Sequence, residues 1–253
     1  MLILLSPAKT LAEGPEVNPG LELPQFRKNT TELVSILKDY TPDKIKGLMK
    51  ISDKLASLNH ERYQNFSSRY TNTNSKAAIY MFRGDVYQGF DADSLDAKAM
   101  TFAQHHLRIL SGLYGLLRPM DKMQPYRLEM GTRLHNPKGP NLYEFWRDRV
   151  TQEINANMKA QGSTLLANLA SNEYFEAVDK RKLDHAPLDF TFKEYREGQL
   201  KFISFSAKKA RGYMSRYICM HQITKKEDLK GFDLEGYGYD ESLSTDSNMV
   251  FTR

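Results

Sequence analysis

Residues 2–10 read LILLSPAKT, and the reading of this stretch decides the fold. Leu2 to Leu5 form an apolar run too short for a helix, and Ser6 and Pro7 end it, because proline has no amide to give to a sheet ladder. The run is a buried strand that opens into a polar turn. Three further segments repeat the pattern: FRGDVY from Phe82, NLASNEYF from Asn168 and SFSAKKARG from Ser204. In sheets that alternate with helices, strand ends and the amino termini of the next helices gather on one edge, where amides and side chains meet a ligand. Ser6, Lys9, Arg83, Asp85, Ser171, Glu173, Lys208 and Lys209 are therefore expected to converge. Taken singly, each serine could instead cap a helix and each charge could be solvated.

Between these turns the spacing predicts mostly helices. After a loop to about Pro24, Leu33, Val34 and Leu37 mark an amphipathic helix over Thr30 to Tyr40. Thr41 and Pro42 start a second, since threonine caps free amides and proline suits the first turn. Its apolar face (Ile45, Leu48, Met49) halts near Ile51 and resumes at Leu55, Ala56 and Leu58, giving helix, hairpin, helix. Ser52 caps the later helix, with Lys50 and Lys54 flanking an amino end that could hold a phosphate.

Ala77 to Phe82 reads as a buried strand. Phe102, His106, Leu107 and Leu110 read as a helical stripe through about Ser111, after which Leu113 to Leu117 fits either strand or helix until Pro119. Leu142 to Ala160 is a helix stopped by Gly162. Thr164 to Leu169 is a strand, and Ser171 a cap for a helix near Glu173. Phe190 to Glu194 with Leu200 to Phe205 form a hairpin, Ala207 to Met220 a helix, and Gly236 to Tyr239 with Met249 to Thr252 a last strand pair. No repeat, low-complexity tract or long linker interrupts the chain, so one domain spanning residues 1–253 is expected.

Composition bounds the function. The 253 residues are 40% hydrophobic and 26% charged, as in globular proteins, and the net charge of +5 favours an anionic partner such as nucleic acid or a phosphorylated small molecule. Cys219 is the only cysteine, which excludes an intrachain disulfide and suits a reducing cytosol. The apolar start stops at Ser6, short of a signal-peptide core, and no run of about 18 apolar residues marks a membrane span. A cytoplasmic protein with no membrane partner is expected.

The segment HHLRILSGLYGLLRPMDKMQPYRLEMGTR, from His105 to Arg133, sets Arg108, Arg118, Arg127, Arg133 and Glu129 among glycines, prolines and tyrosines that break helical spacing. Glu129 or Asp121 could act as a base beside an Arg118 or Arg127 clamp, or the same residues could form an ion pair that braces a loop. On the helix from Ala207, Lys208, Lys209 and Arg216 lie opposite an apolar face, with Arg211 at the border, which reads as one side of an anion cleft. The six histidines lack metal-site spacing. No Walker loop, dinucleotide fingerprint or nucleophile elbow occurs, and no metal or cofactor is expected.

LLSPAKT, LMKISDKLA (Leu48 to Ala56), FRGDVYQG (Phe82 to Gly89), LSGLYGLLRPMDKMQPYRLEMG (Leu110 to Gly131), NLASNEYF and AKKARGYMSRY (Ala207 to Tyr217) together resemble the YaaA peroxide-stress family over nearly the whole chain. The resemblance implies a mixed α/β fold: a central mixed sheet with surrounding helices, a positively charged cleft at strand ends and a helix-hairpin-helix element, placed here at residues 42–59. It further implies a cytosolic protein of the hydrogen peroxide response that binds DNA and limits unincorporated iron. Such hairpins usually carry glycine, where this one has Lys50, Ile51 and Ser52.

Together the two readings give DNA, duplex or branched and with little sequence specificity, as the partner. Its expected contacts are Lys9, Lys50, Ser52, Lys54, Arg83, Arg118, Arg127, Lys208, Lys209, Arg211 and Arg216. The alternative is an enzyme acting on a nucleotide or other anionic small molecule in the same cleft, with Glu129 the candidate catalytic residue.

Overall fold

The computed structural model describes residues 1–12 and 20–253, so part of the loop expected before Pro24 lies outside the described residues. The strands are β1 (Leu2–Leu5), β2 (Thr10–Leu11), β3 (Lys76–Ala77), β4 (Phe82–Arg83), β5 (Leu107–Ser111), β6 (Gly115–Leu117), β7 (Lys122–Met123), β8 (Leu166–Leu169), β9 (Pro187–Arg196), β10 (Gln199–Lys201), β11 (Gly238–Tyr239) and β12 (Asn248–Thr252). The helices are α1 (Arg27–Lys38), α2 (Pro42–Met49), α3 (Asp53–Gln64), α4 (Ala78–Met81), α5 (Asp85–Phe90), α6 (Ala97–His106), α7 (Leu142–Ala160), α8 (Asn172–Phe175) and α9 (Ser204–His221).

Eight strands build one central sheet in the order β11-β12-β9-β8-β1-β5-β6, with β10 paired to the far end of β9. The sheet is mixed, as expected. Strands β12, β9, β8, β1 and β5 run parallel, while β11, β6 and β10 join antiparallel. All four residues of β1 are buried, as a parallel strand covered on both faces requires. From β1 the chain reaches β5 on one side, and it later returns to β8 on the other. The carboxyl ends of β1 and β8 are thus a topological switch point, where a crevice opens between diverging connections.

Local chemistry explains the helix ends. Thr41 accepts from the Lys44 amide and Ser52 from the Leu55 amide, so both expected caps form. Gly162 follows α7 in the left-handed region (φ +59), with its amide on Lys159 and the Ser163 amide on Met158, which satisfies two orphan carbonyls. Ser171 precedes α8 but makes no side-chain cap; its hydroxyl accepts from Ser6 instead.

Three segments differ from the sequence expectation. Ala77 to Phe82 is two short strands around the helical turn α4, because Lys76–Ala77 pairs with β7 while Phe82–Arg83 pairs with β2, and the chain must turn between these partners. Leu107 to Ser111 is a strand, not the end of a helix. Its five residues are all buried between β1 and β6, and a two-sided strand shows the same continuous apolar run as a buried helix segment. The second arm of the hairpin stops at Lys201, and α9 begins at Ser204.

Helix α9 packs against α5 with backbone in contact. A Cβ on Gly212 would collide with the Val86 carbonyl, and one on Gly89 with the Lys209 carbonyl. This contact fixes α9 beside the strand-end turns. Among the described residues no helix is long and apolar enough to cross a membrane.

Candidate anion cleft

The carboxyl ends of β1 and β8 form a cleft of about 570 Å³, lined by Ser6, Lys9, Thr10, Arg83, Asp85, Ser171, Asn172, Glu173, Tyr174, Lys208 and Arg211 among others. Parallel pairing sets Leu5 against Leu169, so the two following serines meet: Ser6 Oγ accepts from the Ser171 amide at 2.8 Å and donates to Ser171 Oγ at 3.2 Å. The buried Tyr87 hydroxyl donates to the Ser6 carbonyl at 3.0 Å and fixes the turn from below.

Lys9 and Arg83 arrive together because β2 pairs with β4, which sets Thr10 opposite Arg83. Gly84 permits the approach. Its φ of +147 suits glycine, and a Cβ there would press to 3.3 Å from that of Ala8. From the other wall, Lys208 and Arg211 enter three residues apart on α9, one turn of one helical side.

Among the described residues, the cleft is lined by four cations, Lys9, Arg83, Lys208 and Arg211, against two carboxylates, Asp85 and Glu173. Two of the cations already have partners: Lys9 Nζ lies 3.1 Å from Glu129 Oε1, and Arg83 Nη1 lies 3.3 Å from Asp93 Oδ2. The Lys208 ammonium and the Arg211 guanidinium have no hydrogen-bond or ion-pair partner among the described residues. Burial lowers the pKa of Arg211, the direction a desolvated cation takes when nothing compensates it. Such a group is stabilised by an incoming anion.

The remaining candidates are distributed more widely than the sequence implied. Lys209 turns away from the cleft and lies 5.5 Å over the Tyr213 ring. Arg216 donates to the Phe90 and Asp91 carbonyls, closing the carboxyl end of α5. The basic face of α9 thus divides, with Lys208 and Arg211 entering the cleft.

The segment from His105 to Arg133 divides as well. Because β6 is antiparallel to β5, the chain leaving Leu117 is back at the amino-terminal edge of the sheet, opposite the cleft. There Arg118 pairs with Asp121 at 2.8 Å and Glu22 at 2.5 Å, near Arg108, whose guanidinium bonds Asn157 and the Gln104 carbonyl. Arg118 therefore does not share a wall with Lys9. Arg127 and Glu129 return to the cleft's rim: Glu129 Oε1 accepts from both Arg127 Nη2, at 3.0 Å, and Lys9. The Arg127 Nε atom is buried without a partner, and the Tyr63 hydroxyl donates to the Arg127 carbonyl.

Helices α2 and α3 are joined by Lys50 to Ser52, with Lys50 in the left-handed region (φ 53) that glycine fills in tighter hairpins. Lys46 pairs with Asp53 across the junction at 2.7 Å. Lys50, Ser52 and Lys54 are exposed at the amino end of α3, outside the cleft, and Ser52 spends its hydroxyl on the cap. Among the described residues no group of three or more His, Cys, Asp or Glu side chains is arranged to hold a metal. Cys219 is buried, and burial pushes its thiol up to about 12.

Sequence reasoning offered an ion pair between Arg127 and Glu129, which forms, but missed that Lys9, remote in the chain, shares the same carboxylate oxygen, a contact that leaves no local pattern. It also missed Thr10 and Asn172 in the lining. Both stand beside predicted strand-end residues, and that adjacency was the available signal.

Comparison with known proteins places the chain in a family. A family model described as peroxide stress protein YaaA matches residues 1–243. The chain is 52% identical to a UPF0246 protein of Shewanella woodyi, with all of this chain and 99% of that protein aligned. It is 49% identical to one from Alteromonas mediterranea and 47% identical to one from Paracidovorax citrulli, each aligned over all of this chain and 98% of the relative.

Proposed function

Since the chain belongs to the family of the peroxide stress protein YaaA, we propose that it acts in the cytoplasm during peroxide stress by holding the phosphate backbone of DNA in the strand-end cleft. The observation that carries this reading is Arg211, a partly buried guanidinium that lines the cleft with no counter-ion among the described residues. Lys208 stands beside it, and Lys9 and Arg83 complete a ring of cations at a topological switch point. Cations of this kind position a backbone and carry no sequence code, so binding is structure-selective or nonspecific. Lys50 and Lys54, exposed at the amino end of α3, are further cations for a phosphate outside the cleft.

The effect on unincorporated iron is indirect in this reading, because the described residues offer no cluster of metal donors. Replacing Arg211 by Gln tests the reading: affinity for every DNA sequence should fall alike, and unaltered affinity would move the site elsewhere.

A second reading is favoured by the cleft's size. At about 570 Å³, with Ser6, Ser171 and Asp85 among its polar groups, it suits a small anionic metabolite such as a nucleotide. A mononucleotide that binds stoichiometrically and blocks DNA binding would support this reading.

A further inference from the structure

Among the described residues, the three most exposed large apolar side chains are all aromatic and all fall within eleven residues: Tyr195 (60%), Phe202 (56%) and Phe205 (60%). Single exposed apolar residues are ordinary on a protein surface, but a run of aromatic rings is not. The segment YREGQLKFISFSAKK, from Tyr195 to Lys209, interleaves these rings with Arg196, Lys201, Lys208 and Lys209. It comprises the end of β9, the turn, β10 and the start of α9. Among the described residues strand β10 pairs only with β9, so the hairpin continues beyond the parallel part of the sheet.

The placement joins this aromatic segment to the cleft. Phe205, Lys208 and Arg211 stand three residues apart in turn on α9, so Phe205 neighbours Lys208, and Lys208 neighbours Arg211, on the helix surface. Lys208 and Arg211 line the cleft, so Phe205 stands roughly 4.5 Å further along the helix axis, toward its exposed end. A ring that is more than half exposed, one step from an unpaired cation, matches the repeating unit of an unpaired strand: a base to stack and a phosphate to pair. A duplex offers its phosphates but no free base face, because its bases are stacked on each other.

We propose that the segment from Tyr195 to Phe205 is a stacking platform for the unpaired bases of a DNA strand whose phosphates enter the cleft at Lys208 and Arg211, an inference that rests on the cleft's holding DNA phosphates. Phe205 supplies the stacking surface nearest the cleft, and Phe202 a second ring on the chain entering α9. Each stacked base contributes on the order of 1–3 kcal/mol, or about 5- to 150-fold in affinity.

The test compares an oligothymidylate single strand with a duplex of the same length by fluorescence anisotropy. The intact chain is used, as wild type, Phe202→Ala/Phe205→Ala, Phe205→Tyr and Lys208→Glu/Arg211→Glu. The alanine pair should lose about tenfold or more for the single strand and nothing for the duplex, and Phe205→Tyr should retain wild-type affinity. The charge reversals should weaken both. In Phe205→Trp, the added indole should be quenched on binding the single strand, against a background from the buried Trp146.

Equal losses for both DNA forms in the alanine pair would overturn the stacking proposal, as would no loss for either while the charge reversals still abolish binding. A change in sedimentation from dimer to monomer in the alanine pair, with DNA affinity intact, would also overturn it by making the patch a self-association surface. Unaltered binding by the charge-reversed variant would instead refute the cleft reading, and this outcome is distinct from the others.

Discussion

Replacing Glu129 by Gln should tighten DNA binding. In the free protein one carboxylate oxygen of Glu129 holds both Lys9, at 3.1 Å, and Arg127, at 3.0 Å, so a phosphate that recruits Lys9 must displace an existing partner. At 3.1 Å two unit charges attract by roughly 5 kcal/mol for an effective dielectric of about 20. Lys9 is 61% exposed and Glu129 26%, however, and solvent reduces such a pair to about 0.2–1 kcal/mol net. The substitution also removes a negative charge that repels phosphate at the rim. Together the two effects amount to about 1 kcal/mol, or about fivefold tighter binding at low salt, and less as salt screens the pair. Titration calorimetry of wild type and Glu129→Gln against one short duplex at two salt concentrations measures this. Weaker binding by Glu129→Gln would refute the reasoning, because Glu129 would then orient the cations for DNA rather than compete with it. In the enzyme reading the same variant would bind its small-molecule ligand and fail to turn it over.

Three further outcomes follow from the packing and the buried groups. Gly212→Ala should cost about 1–3 kcal/mol and lower the melting temperature, because its methyl group would meet the Val86 carbonyl, and DNA affinity should fall as α9 shifts; an unchanged melting curve would contradict the close contact. Burial alone would raise the pKa of Glu194, but hydrogen bonds from Ser206, Arg253 and Arg196 outweigh it and bring the carboxyl down to about 2. Its folded pKa lies below the unfolded one, so it contributes roughly 3 kcal/mol above about pH 5 that is lost as pH falls toward 2; Glu194→Gln should flatten the acid limb of the stability curve. Cys219 should resist alkylation at neutral pH in the native protein and react after denaturation, since burial holds its thiol at about 12; rapid native labelling would contradict this.

Much of the fold was legible where local chemistry decides it. The LILL run, the caps at Thr41 and Ser52, the left-handed Gly162 and the long stripe of α7 each form as their residues imply. The sequence was ambiguous where pairing partners decide. Leu107 to Ser111 has a helical stripe by chance, and only β1 and β6 on its two sides make it a strand. For the cleft, the repeated strand-end turns pointed to a shared edge, and Ser6, Lys9, Arg83, Asp85, Ser171, Glu173 and Lys208 do line one cavity. The helical period could not apportion the cations of α9, because whether Lys209 or Arg211 enters the cleft depends on how closely α5 packs at Gly212. Nor could it place Arg118, whose position follows from the reversal of direction at β6.

The central claim is that the cations of the strand-end cleft hold DNA phosphates, and the salt dependence of duplex affinity tests it most directly. With two to four cations engaged, the logarithm of affinity should fall against the logarithm of salt concentration with a slope of about -2 to -4. Lys208→Gln/Arg211→Gln should reduce that slope by about 2 in magnitude. A flat response in the wild type, or a slope that the double substitution leaves unchanged, would contradict the account.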